Sequence, residues 1–149
     1  MSALAVLPSF VSRGRGLPQR WVMAAATAVA AVAHVPVSGP HLEEAPYMGL
    51  LFIVLTAACA FLAVTAAVRD TGIVYALTVL TCGLAVVGYV ATRLVAFPML
   101  SDDVGNWMEP LGVVSILSES IAVGAAVMAL RRPSAGSTAD VGVRGLPAR

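Results

Sequence analysis

Apolar residues fall into four runs, 21–37, 46–68, 71–91 and 110–130, and the stretches between and flanking them hold every charged residue except Glu119. A helix needs about 20 apolar residues to cross the hydrocarbon core of a bilayer. The last three runs, with 23, 21 and 21 residues, reach that length; the first, with 17, is alanine-rich and the weakest span. Lipid offers backbone amides no hydrogen bonds, so each run is expected to be helical. Arg69-Asp70 is a very tight turn that makes the second and third helices antiparallel neighbours. The pattern predicts an all-α fold, a transmembrane antiparallel four-helix bundle over residues 21–130.

The breakers between the runs set the expected connections. Pro8, Gly14, Gly16 and Pro18 predict an irregular segment over 1–20. Gly39-Pro40 predicts a first loop over 38–45, ending in His41-Leu42-Glu43-Glu44. The second loop, 97–109, is the longest link between spans: Pro98 ends the third helix and Pro110 opens the fourth. The tail, 131–149, is rich in Gly, Ser, Pro and Ala beyond its first residues and is expected to be disordered.

Composition and charge add orientation. The chain is 59% hydrophobic and 11% charged, with mean hydropathy +0.90, which excludes an ordinary soluble domain. All nine basic residues are arginine. Counting ends alternately inside and outside, Arg13, Arg15, Arg20, Arg69, Arg131, Arg132, Arg144 and Arg149 share one side and Arg93 stands alone on the other. Arginine-rich short loops stay cytoplasmic, so both termini are expected there. Glu43, Glu44, Asp102, Asp103 and Glu109 then lie outside. A rival reading takes the first run as a signal peptide cut after Ala31-Val32-Ala33, exposing His34 as a copper-chelating N-terminus. Apolar character continuing to Val37 favours a retained span.

Within the spans, polar residues recur at helical spacing. Tyr75, Thr78, Cys82, Tyr89 and Arg93 share one face of the third, and Gly112, Ser115, Glu119, Ala122 and Ala126 one face of the fourth. Thr27 and His34 align on the first; Gly49, Thr56, Cys59 and Ala63 form a small-residue stripe on the second. These faces are expected to turn inward, the hydroxyls as ordinary packing. Ser120 and Gly124 make a small pair on another face of the fourth, suited to a neighbouring helix or a second copy.

Glu119 stands near mid-membrane, where an acid costs roughly 2.5–3.5 kcal/mol and is a functional candidate by default. Arg93, about 7.5 Å away along the bundle axis at 1.5 Å per residue, is the first expected partner, as a buried polar pair. Tyr89 and His34 are possible members of the same network, and His34 is a second candidate partner. His34 and His41 are also metal candidates, since histidine suits zinc or copper, although their spacing is not diagnostic. Cys59 and Cys82 fall near mid-membrane on consecutive spans and read as inert buried thiols. No phosphate loop, nucleophile triad or nucleic-acid-binding surface is present in the sequence, and no cofactor is implied.

The segments HLEEAPYMG (41–49), YVATRLVAFP (89–98) and DDVGNWMEPLGVVS (102–115) resemble blocks of small four-span integral membrane proteins of high-GC actinobacteria. The resemblance runs from about Trp21 to Leu130. It implies the four-span fold in the plasma membrane of a bacterium and carries no active site. Three functions remain open. The first is a structural or accessory subunit docking other membrane proteins, or a second copy of itself, within the lipid bilayer. The second is an oligomeric proton- or cation-coupled transporter using Glu119. The third is an extracytoplasmic metal binder using His34 and His41. An enzyme is the least expected.

Overall fold

The computed structural model describes residues 17–132. It contains four long helices: α1, Leu17–Glu44; α2, Pro46–Val68; α3, Gly72–Leu94; and α4, Pro110–Arg131. All four are long and apolar enough to cross a membrane. They form an antiparallel bundle, so the chain is all-α with the architecture of a multi-pass membrane protein.

Three helices begin and end within a few residues of their apolar runs. The exception is α1, which spans 28 residues and includes the 38–45 segment expected to be a loop. It also includes residues 17–20, expected to be irregular; the expectations for 1–16 and for the 133–149 tail lie outside the described residues. Pro36 and Pro40 lie inside α1. Each removes one amide donor, which ordinarily kinks or ends a helix. Being four apart, they fall on one face, and both are exposed. The missing bonds are therefore confined to one outward stripe. On the inner side Ser38 Oγ donates to the His34 carbonyl at 2.8 Å, and His41 Nδ1 donates to the Val37 carbonyl at 2.8 Å.

One residue, the fully buried Ala45, joins α1 to α2. So abrupt a reversal forces the two helices together. A Cβ on Gly49 would stand 2.5 Å from the Leu42 nitrogen and 2.7 Å from its Cα. Only glycine allows this approach.

The helices form a four-sided ring. The α1–α2, α1–α4 and α3–α4 sides are extensive, whereas α2 and α3 touch far less. Near the 69–71 turn the ring is filled by Met23 of α1 and by small side chains: Ala26 and Ala30 of α1, Cys59 and Ala66 of α2, Cys82 of α3, and Ala122, Ala126 and Ala129 of α4. Tyr75 closes this end, its hydroxyl donating to Asp70 Oδ1 at 2.6 Å. Ala31 and Ala33, the residues of the candidate cleavage site, are buried within α1. Thr27, Thr56 and Thr78 donate to carbonyls of their own helices, as ordinary packing hydroxyls do.

The Gly49 contact generates a direct test. Gly49→Ala should destabilise the detergent-solubilised protein by about 1–3 kcal/mol, the usual cost of overpacking, whereas Gly124→Ala, where a Cβ meets nothing within 4 Å, should be near neutral. Thermal unfolding followed by circular dichroism measures both.

Candidate functional site

At the other end of the bundle the ring is open inside. A cavity of about 520 Å³ lies between α2 and α3, walled at the back by α1 and α4. Cavities of about 300–1,000 Å³ are the size of small-molecule sites. The α2 wall, from Met48 to Ala58, is wholly apolar. Leu51, Val54, Leu80 and Leu84 line it and are also more than half exposed on the bundle's outer surface. The cavity thus opens sideways, through the loose α2–α3 side.

The back wall carries the chemistry. Glu119 of α4 is 1% exposed, and its Oε1 lies 2.9 Å from His34 Nε2 of α1. Ser115 Oγ lies 3.3 Å from the same nitrogen. Ser115 and Glu119 are four apart, so one helical face brings both to His34. All three line the cavity.

The 2.9 Å contact requires one proton between the groups. Either Nε2–H donates to the carboxylate, or the carboxylic acid donates to an unprotonated Nε2. With a second proton on the histidine the pair is neutral overall; without it the pair is negative, and the hydrogen bond survives. The site can therefore exchange a proton without breaking its own geometry.

The expected Arg93–Glu119 pair does not form. Arg93 is buried at the end of α3, with Nη1 2.6 Å from Asp103 Oδ1 and Nη2 3.3 Å from Glu109 Oε2. Nη1 also donates to the Asp103 carbonyl at 3.3 Å, and the guanidinium lies over the Tyr89 ring at 4.6 Å. The reason is local. A cation suits the last turn of α3 and an anion the start of α4, because the helix dipoles favour them there. The 95–109 loop joins those ends and brings two acids to Arg93 before Glu119 comes within reach. Gly105 N–H donates to the Arg93 carbonyl at 3.0 Å, fixing the loop on the helix end. Tyr89 belongs to the Arg93 cluster, its hydroxyl donating to the Trp107 carbonyl at 3.0 Å. Gly112 makes room for it: a Cβ there would meet the Tyr89 ring at 2.6 Å.

The two histidines face the same cavity but are not brought to one ion. His34 is held by Glu119 and Ser115, His41 by the Val37 carbonyl, and Phe52 stands against both rings, at 5.5 Å and 4.8 Å. Among the described residues no three His, Cys, Asp or Glu side chains are grouped as metal ligands. Reading α1 as a span ending at Val37 hid one thing: His41 lies on the same helix as His34, two turns on. The cavity itself left no trace in the sequence. Ser120 and Gly124 face outward, as their separate position on the helix indicates.

Compared with known proteins, the chain matches no family model, no curated protein and no solved structure. What the site does must be read from its geometry.

A double-mutant cycle locates the coupling. His34→Ala and Glu119→Ala should each cost about 3–5 kcal/mol, as removal of one partner of a buried pair does, and their combination should cost less than the sum. Arg93→Ala combined with Glu119→Ala should be additive within about 0.5 kcal/mol. Unfolding of the three single variants and the two doubles in one detergent decides between the pairings.

Proposed function

We propose that this chain is a membrane-embedded binding protein of a bacterial plasma membrane, with both termini cytoplasmic. Its site is the sideways-opening cavity, and the His34–Glu119 pair is the polar, proton-exchanging anchor. The observation that carries this reading is the position of Glu119: buried near mid-span, paired, and facing a cavity rather than a packed core. A carboxyl group needed only to clamp two helices has no use for a 520 Å³ space beside it. The apolar walls and lipid-side opening suit a small, largely apolar molecule entering from the bilayer. This reading develops the proton- or cation-coupled alternative and is preferred to a purely structural accessory subunit. The arginine asymmetry supports the orientation, and the three motif blocks support an actinobacterial source. The burial of Ala31 and Ala33 supports retention of α1.

Orientation is tested by single cysteines at Met99, Val104 and Met108, all exposed on the loop. In cells these should react with an impermeant maleimide, and a cysteine in the 133–149 tail should not. Labelling of the tail from outside would reverse the assignment.

The cavity is tested with a neutral carbene precursor, trifluoromethyl-iodophenyl-diazirine, in vesicles. Label should concentrate on Leu55, Ala58, Thr81 and Ala85 of the cavity wall. Filling the space with Ala58→Trp should remove that label while sparing Leu117 and Met128 on the outer face of α4, which are 58% and 55% exposed. Even labelling of every lipid-facing surface would sink the binding reading.

A further inference from the structure

The ionisable side chains of the cavity are unevenly signed. Asp103, Glu109 and Glu119 line it against one guanidinium, Arg93. With His41 neutral, the lining is net negative whether His34 is charged or not. Arg93 is already engaged by two of the acids, so it offers an incoming anion little. Glu119 is bonded only through Oε1 among the described residues, although the residue is 99% enclosed and lines the cavity. An acidic interior behind apolar walls selects for positive charge carried on an apolar body.

We propose that the ligand of this site is a lipophilic organic monocation, and that its binding displaces one proton from the His34–Glu119 pair. The proposal rests on the binding reading above and names its substrate class. A bare metal ion is disfavoured because, among the described residues, no three-ligand group stands ready to replace its hydration shell. An organic cation, whose charge is shielded by its substituents, needs no such ligands. Phe52 and the other apolar walls can take the substituents, while the deprotonated pair supplies the compensating charge. The exchange balances: one cation enters, and one proton leaves for water. The groups that face the pair are few. His41 stands beside His34 on α1, and Tyr89 and Arg93 lie towards the loop on α3, with Asp103 and Glu109 beyond them. From below come the Cys59 thiol of α2 and the Cys82 thiol of α3, both within electrostatic reach of Glu119. α2 contributes no charged side chain to the cavity.

The experiment compares two probes of one shape and opposite fixed charge, tetraphenylphosphonium and tetraphenylborate, on the full chain in lipid nanodiscs. Empty nanodiscs correct for partitioning. Tetraphenylphosphonium should bind saturably, at least about tenfold tighter than tetraphenylborate. Its affinity should rise with pH, although neither probe titrates. Glu119→Gln should lose about tenfold in affinity and the pH dependence, while Glu119→Asp, which keeps a carboxyl group, should retain the dependence. Should the glutamine variant fail to fold, the probe pair and the pH series on the unaltered protein still decide. Equal binding of the two probes, or pH-independent binding of the cation, overturns the proposal. If neither probe binds, the diazirine label separates the cases: label in the cavity means that only the ligand class is wrong, and its absence removes the binding reading as well.

Discussion

A carboxyl group in the middle of a hydrocarbon layer must be given a partner, and the arrangement of this bundle depends on how Glu119 gets one. Its partner is His34, on the first helix, and Ser115 joins them one turn away. This ties α1 to α4 across 85 residues of sequence. The α1–α2 side is held independently, by the one-residue link at Ala45 and the close approach at Gly49. The α3–α4 side is held by the loop-end cluster around Arg93. Three sides of the ring thus have a specific fastening near the loop end. The fourth, between α2 and α3, is joined by the 69–71 turn at one end and, beyond the other, by the Tyr47 hydroxyl donating to the Pro98 carbonyl at 2.6 Å, and along this loosely packed side the cavity opens.

The division of the bundle into a packed half and a hollow half follows from side-chain size. Near the turn, alanines and cysteines let four backbones approach closely, as small residues do in membranes. Towards the loop, the facing positions carry His34, Phe52, Tyr89 and Arg93. Three of these side chains are held by their own partners, His34 by Glu119, Tyr89 by the Trp107 carbonyl and Arg93 by Asp103 and Glu109, and leave the space between them open. The cavity is the consequence. Its polar wall is α1 and α4, and its apolar wall α2, because only α1 and α4 share a buried pair at this depth.

Much of the architecture is legible in the sequence, for reasons that individual residues make plain. Apolar runs bounded by Pro46, Arg69, Pro110 and Arg131 mark three helices to within three residues at each end. The inward faces are legible because lipid penalises the groups they carry, so the stripes ending in Arg93 and Glu119 had to be buried. The end of α1 is not legible. Gly39-Pro40 carries a strong turn signal, and only the register of Pro36 with Pro40 on an exposed face shows how a helix can pass through both. Nor is the partner of Glu119 legible by depth alone. Depth ranks Arg93 first, yet a guanidinium near a helix end is claimed by the acids of the adjoining loop, and Asp103 and Glu109 are that close.

That competition has a functional consequence. Had Arg93 reached Glu119, the guanidinium would have fixed the carboxylate in its charged form, and the cavity would have held a permanent ion pair. Asp103 and Glu109 remove that fixed charge to the loop end and leave Glu119 with a histidine. Histidine is the one ordinary side chain that gains or loses a proton near neutral pH. The acids of the 95–109 loop therefore do more than anchor the loop to α3. By occupying Arg93 they leave His34 as the partner of Glu119, and on the proposed reading that pair is where the charge of a ligand meets an exchangeable proton.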